Sequence, residues 1–298
     1  AGTKMEKQVI RIGTRGSVLA LIQTDMVKKE LSKHYPDTTF ETVVIKTKGD
    51  KQQNRSISSF GGKAVFVEEF EQALSDGTID LAVHSAKDMP NPCREGLVIA
   101  GVLPRGPVED MLLYRKDLSL TKETTFTVGT SSLRRQYQIK ALYPHAICKD
   151  LRGNLATRIK KFKDGQYDAI ILAKAGLVRQ GLLPDPEMET YTFSVKEMLP
   201  AAAQAVIAVE SRENDPAQEM AASISDAAAM FSTTVERALL EQLHAGCHEP
   251  VGAYVTTEND TVSIELMRVE QEQIDRKCVQ GAKKDWKSLL KQFEKDKD

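Results

Sequence analysis

Short apolar runs alternate along this chain with longer stretches whose apolar residues fall on one side of a helix. Residues 9–12 alternate like a strand, Gly13 and Thr14 turn the chain, and Leu19, Ile22, Met26 and Val27 then recur at helical spacing. The same grammar returns in "FTVGTSSLRRQYQIKAL": a short strand, Gly129-Thr130, Ser132, then a helix carrying Gln136 where the first carries Gln23. Two more correspondences follow in the same order. "KTKGD" at 46–50 matches "DLRGN" at 150–154, and "DGTIDLAVHSAK" at 76–87 matches "DGQYDAIILAKA" at 164–175. Matches in one order predict two domains of one design, joined near residues 104–110. The first carries an insertion, "KQQNRSISSFGGKAVF", whose Gly61-Gly62 and polar residues read as a loop before a helix from about Val67 to Leu74.

Strands alternating with helices predict parallel or mixed sheets covered by helices. In such sheets ligands sit beyond the carboxyl ends of the strands, and two domains facing each other would hold one in a cleft. From Phe231 the pattern changes. "STTVERALLEQLHAGC" reads as a helix capped by Ser232 or Thr233 with Glu236 in its first turn. A hairpin turning near Glu258-Asn259-Asp260 and a closing amphipathic helix follow, which predicts a small αββα module.

Composition narrows the functional classes. Lys plus Arg is 41 and Asp plus Glu is 42 in 298 residues, so no global charge points to nucleic acid or a membrane surface. No apolar run reaches spanning length, "AGTKMEKQ" has no signal-peptide core, and the scattered cysteines form no disulfide framework, so a reducing, cytoplasmic setting is expected. The four cysteines, Cys93, Cys148, Cys247 and Cys278, show no metal-ligand spacing. Cys148 and Cys278 read as buried, inert thiols, whereas the Gly-Cys-x-x-Pro loop at Cys247 suggests an exposed, attachable one.

The polar residues at the predicted strand exits are Arg15, Ser17, Thr130, Ser131, Ser132, Arg134, Arg135, Arg152 and Arg158, with Lys63 and Lys87. Helix N-termini, hydroxyls and arginine forks are anion-binding groups, so the expected ligand carries several acids. There is no Walker A sequence and no GxGxxG after a strand. In "LAVHSAKDMP" an apolar strand ends in Ser85, Lys87 and Asp88. Asp88 reads either as a structural partner of a neighbouring cation or as a carboxylate that stabilises a cation formed during reaction. His84 reads as a buried, hydrogen-bonded histidine.

Together "IRIGTRGSVLALIQ", "TKGD", "GGKAVFVEEFEQAL", "DLAVHSAKDMP", "VGTSSLRRQ", "LRGNLATR", "YDAIILAKAGL" and "AGCHEPVGAY" resemble the porphobilinogen deaminase family over about residues 8 to 255. The resemblance implies an α/β fold: two periplasmic-binding-protein-like α/β domains flanking a cleft, plus a small C-terminal α+β domain. The expected boundaries are 1–105 with 202–225, then 106–201, then 226–298. It implies a dipyrromethane cofactor joined by a thioether to Cys247, and condensation of four porphobilinogen units with loss of ammonia. Asp88 would then be catalytic. Lys87, Ser85, Thr130, Ser132, Arg134, Arg135 and Arg158 would bind the cofactor, and Arg15, Ser17, Arg152 and Lys63 the substrate. No metal, nucleic acid or membrane partner is implied, and a monomer is. The chain departs from the family at a hinge, where Ala203 and Ala205 replace the usual glycines, and at Glu68, where a lysine is usual. The residues leave two rivals open: an anion-binding protein without catalysis, and a divergent paralogue that turns over poorly.

Overall fold

The computed structural model describes residues 8–47, 67–246 and 249–294. The chain divides into two compact units. The first takes most of its residues from the N-terminal third and from 206–230, and the second from 106–205 and 231–298.

In the first unit, β1 (Val9–Thr14) pairs in parallel with β2 (Thr39–Val44) and β3 (Leu81–Ser85). A late strand, β10 (Ile207–Arg212), lies antiparallel between β3 and β4 (Leu97–Val102), so the sheet order is β2-β1-β3-β10-β4. Helices cover both faces. Against α1 (Val18–His34) and α6 (Pro216–Ser223) pack Ile10, Ile12, Leu81, Val83 and Val209. On the other face Ala82 meets Phe70 and Leu74 of α2 (Glu68–Ser75). Burial on both sides is why "LAV" is continuously apolar rather than alternating.

The second unit repeats the plan. β6 (Phe126–Gly129) is parallel to β7 (Ala146–Lys149) and β8 (Ala169–Ala173), and β5 (Asp110–Tyr114) runs antiparallel between β8 and β9 (Glu189–Thr192). The order β7-β6-β8-β5-β9 matches the first sheet position for position. Three helices follow its strands: α3 (Leu133–Leu142), α4 (Leu155–Lys163) and α5 (Lys174–Arg179). The two repeats share a steric reason for glycine at the strand exit. A Cβ on Gly13 would stand 2.6 Å from Ile79 Cδ1, and one on Gly129 2.9 Å from Tyr167 Cδ1. The two sheets thus share one plan, in which the fourth strand of each runs antiparallel to both its neighbours.

The second unit also holds a three-stranded meander, β11 (Gly252–Glu258), β12 (Thr261–Glu270) and β13 (Gln273–Ala282), packed on α7 (Ala227–Gln242) and α8 (Trp286–Leu290). It corrects the expected αββα reading in two respects. β13 is an extra strand whose side chains are mostly exposed, which removed the alternation that would have marked it. α7 begins five residues earlier than Ser232, where Asp226 Oδ2 accepts from the Ala229 N–H at 2.9 Å. Ser232 and Thr233 are therefore buried inside the helix, and Glu236 is a core residue rather than a first-turn acid. Its carboxylate accepts from the Ala203 N–H at 2.6 Å and the Val255 N–H at 2.9 Å. Ala203 and Ala205 adopt φ of 62° and 68°, the left-handed region a glycine would enter without steric cost. α1 is a further correction. Its buried stripe is Gln23, Thr24, Val27 and Leu31, while Met26 is exposed.

Candidate active site

On the first unit, β3 delivers its polar residues to the end of the sheet. Leu81 to Val83 are buried, Ser85 is half-buried, and a 3-10 turn over Ala86–Asp88 follows. The turn buries Ala86, leaves Lys87 half-exposed and presents Asp88 to solvent. Backbone bonds fix this exit: the Ala86 N–H donates to Val206 O at 2.9 Å, and Met89 N–H to Ala86 O at 3.1 Å. Ser85 Oγ donates to Gln23 Oε1 at 3.3 Å, tying the exit to α1. Ser17 caps α1, its hydroxyl accepting from the Ala20 N–H at 3.3 Å, and Arg15 lies half-buried in the turn before it. Glu68 stands exposed in the first turn of α2, where a negative charge suits the helix dipole.

Behind the exit sits a cluster of acids. His84 Nε2 lies 3.0 Å from Glu210 Oε1, with both side chains buried. His84 thus stands as the sequence suggested, hydrogen-bonded in the core and edge-on to Phe70. Burial and a hydrogen bond with Glu210 raise Glu71 to about 7, although the Arg94 N–H opposes the shift.

On the second unit the corresponding edge is richer in donors. Thr130 directly follows β6, its N–H donating to Lys149 O at 2.9 Å and its hydroxyl accepting from the Ser132 N–H at 3.2 Å. Ser132 caps α3 by accepting from the Arg135 N–H at 3.2 Å. Ser131 knits this turn to the neighbouring one, accepting from the Leu151 N–H at 3.0 Å. There Arg152 Nη2 meets Asp150 Oδ2 at 3.0 Å, and Arg158, half-buried on α4, donates from Nε to Gly153 O at 2.9 Å. Thr130, Ser131, Ser132, Arg152 and Arg158 thus share one edge of one sheet.

Arg134 and Arg135 point inward from that edge. Arg134 Nη1 donates to Asp110 Oδ2 and to Leu199 O, each at 2.8 Å. Arg135 reaches Asp110 Oδ1 through Nε at 3.1 Å and Nη2 at 2.9 Å. Asp110 is fully buried, and Gln204 Nε2 adds a bond to it at 3.2 Å. One carboxylate thus lies between two guanidinium groups at the N-terminal end of α3. Sequence reasoning passed over Arg179. It ends α5, donates from Nη2 to Ala205 O at 2.6 Å, and is lowered by burial to about 10. The signal for it was available: "AKAGLVR" follows β8 as "SAKD" follows β3. Lys63 and Cys247 lie outside the described residues. Among the other cysteines, Cys148 is half-buried, with burial raising its thiol, and Cys278 is exposed on β13, against expectation.

Each sheet thus carries cations, hydroxyls and a helix N-terminus at the carboxyl ends of its parallel strands, groups whose chemistry suits acidic ligands. Comparison with known proteins names the class. The family described as porphobilinogen deaminase, dipyromethane cofactor binding domain, matches residues 10–220. The porphobilinogen deaminase C-terminal domain matches residues 230–295. The porphobilinogen deaminase of Sulfurimonas denitrificans is 40% identical over 262 residues, covering 87% of this chain and 83% of that protein. That of Streptococcus sanguinis is 39% identical over 277 residues, covering 91% and 89%. The chain belongs to the porphobilinogen deaminase family. A dipyrromethane carries four carboxylates on two pyrrole rings, and the donor edge of the second unit fits such a group in charge and in number of donors. No helix of the described residues is long and apolar enough to cross a membrane.

Proposed function

We propose that this protein is a hydroxymethylbilane synthase, which joins four porphobilinogen units head to tail, releases one ammonia per unit and yields a linear tetrapyrrole. The dipyrromethane, attached through the thiol of Cys247, supplies a pyrrole carbon as the acceptor on which the chain grows. Thr130, Ser132, Arg152 and Arg158 hold carboxylates of that group and of the growing chain. Arg134 and Arg135 add positive charge from beneath. Lys87 and Arg15 take the acids of the incoming substrate, with Ser85, Ser17 and Lys63 as further donors.

In each step the C–N bond of the aminomethyl group, protonated as an ammonium, breaks and ammonia leaves with the bonding electron pair. The electron-poor methylene carbon would be taken up by the free pyrrole α-carbon that the cofactor supplies, with the displaced α-proton passing to solvent, and water would release the finished tetrapyrrole. Asp88 is the carboxylate that stabilises the positive charge left on the substrate and holds the pyrrole N–H groups. Its exposure at the end of a rigid strand carries this reading, because a merely structural acid at this turn would be expected to be tied into it. The enzyme works as a monomer in the cytoplasm.

The test is single-turnover ammonia release with Asp88→Asn and Asp88→Glu, beside a thermal melt. Asp88→Asn keeps the fold and substrate binding but loses nearly all chemistry, because a group acting only in the transition state changes turnover and not ground-state affinity. Asp88→Glu retains part of it. Parent-like turnover in Asp88→Asn would make Asp88 structural.

A further inference from the structure

The segment that carries Lys87 and Asp88 is clamped at both ends by one buried cluster. Upstream, His84 of β3 bonds to Glu210 of β10 at 3.0 Å. Downstream, where the chain returns after the cis Asn91-Pro92 bond, the Arg94 N–H donates to Glu71 Oε2 at 3.1 Å. Glu71 belongs to α2, so three elements and the loop meet at two carboxylates and an imidazole. Residues 85–93 span the distance between the two anchors.

The hydrogen bonds of this cluster require a proton. Oε1 of Glu210 is taken by His84. Oε2 is buried and meets no N–H or hydroxyl donor of the described residues. The group that hydrogen-bonds Glu210 from α2 is the Glu71 carboxyl, which donates only when protonated. Two ionised carboxylates in contact within the core would repel, and sharing one proton removes that repulsion. We infer that Glu71 is a proton-holding positioning residue: its neutral carboxyl donates to Glu210 and accepts from the Arg94 N–H, and so fixes both ends of the loop that presents Asp88. The inference rests on the reading of Asp88 as the catalytic carboxylate.

Several charged groups face Glu71. His84 faces the cluster from β3 and Glu210 from β10. Arg94 faces it from the loop, but its guanidinium goes to Gln72 Oε1 at 3.2 Å. Two residues beyond Glu210, Arg212 is occupied by Leu74 O and Ile79 O, both at 2.8 Å, with Asp80 and Asp215. Glu68 and Glu69 share the first turn of α2 with Glu71 and add negative charge. Raising the pH through about 7 removes the proton. The Glu71–Glu210 contact then becomes repulsive, the clamp loosens, and Asp88 loses its position without leaving solvent. Turnover should fall in that range while KM holds.

The experiment uses the cofactor-loaded enzyme and Glu71→Gln, whose amide donates to Glu210 and accepts from Arg94 but does not titrate. Infrared spectra should show a carboxylic-acid carbonyl band in the parent that vanishes as the pH rises through about 7, and no such band in Glu71→Gln. The kcat of the parent should decline over the same range with KM unchanged, and Glu71→Gln should keep its kcat there. Glu71→Ala, lacking both bonds, should lose kcat roughly ten- to a hundredfold, the order expected when a reacting group shifts by about 1 Å. The absence of the band in the parent, or an unchanged kcat profile in Glu71→Gln, overturns the inference. Should Glu71→Gln not fold, the parent's band and its midpoint decide the protonation, and the kcat profile of Glu71→Ala the positioning. A parent that releases no ammonia at any pH would refute the deaminase reading instead, and leaves the infrared result intact.

Discussion

Removing the carboxylate of Asp110 is the most exacting test of how the second unit is held together. Asp110 is fully buried on β5 and accepts from Arg134 Nη1 at 2.8 Å, Arg135 Nε at 3.1 Å and Nη2 at 2.9 Å, and Gln204 Nε2 at 3.2 Å. In Asp110→Ala two guanidinium groups, 4% and 6% exposed as residues, lose the anion that offsets their charge. Breaking a buried pair by deleting one partner costs about 3–5 kcal/mol, well above the ~0–1 kcal/mol of a surface pair. At about 2–4 °C per kcal/mol for a unit of this size, the melting transition should drop by roughly 6–20 °C. Calorimetry on parent, Asp110→Ala, Arg135→Gln and the double variant measures this. The double variant should be more stable than the sum of the singles by about 0.5–3 kcal/mol, because Arg135→Gln removes one of the orphaned charges. Added salt should not rescue Asp110→Ala, since buried charges are poorly screened. A melt within about 2 °C of the parent, or strict additivity, would refute the assignment of Asp110 as the anchor of both arginines.

Further outcomes follow from the donor edge and the strand exits. Arg152→Leu and Arg158→Leu should each weaken carboxylate binding by roughly 1.5–3 kcal/mol, one to two decades of affinity. Mass spectra should then show the chain stalled at intermediate lengths, and normal elongation would exclude that arginine. Gly129→Ala should cost about 1–3 kcal/mol in a thermal melt, because its Cβ would meet Tyr167 Cδ1 at 2.9 Å and Ile170 Cγ2 at 3.0 Å. An unchanged melt would mean the strand exit has room that the close contacts deny.

What the sequence disclosed depended on whether the signal was local. The repeats were legible because each is a strand, a glycine turn and a helix start within a few residues. They located β1, β3, β6 and β8 and the donors after them. β10, which returns from far along the chain, and β5, which lies just ahead of the repeat it joins, had no local mark. Gln23 and Thr24 are polar yet buried, one meeting Ser85 and the other back-bonding to Ala20 O at 2.9 Å, so apolar spacing named the wrong stripe on α1. The positions of Arg134 and Arg135 after β6 were readable, but their direction was not. That is set by Asp110, 24 and 25 residues upstream. The pairing of His84 with Glu210 spans 126 residues and left no trace in local pattern. At residues 202–205 the sequence showed alanines where the resemblance implied glycines. Their adoption of positive φ, at about 1–2 kcal/mol each, is a tertiary override by the buried contacts around them, Glu236 among them.

The central claim is that this chain builds a linear tetrapyrrole on a cofactor tethered to Cys247. Intact mass spectrometry of the purified protein, before and after stoichiometric porphobilinogen, tests it most directly. The account predicts a resident adduct of dipyrromethane mass that is lost in Cys247→Ser. It also predicts a ladder of added masses, each equal to one porphobilinogen less one ammonia, that collapses to the starting species as product leaves. An unmodified chain that gains no mass from porphobilinogen, or a ladder that persists unchanged in Cys247→Ser, would contradict it.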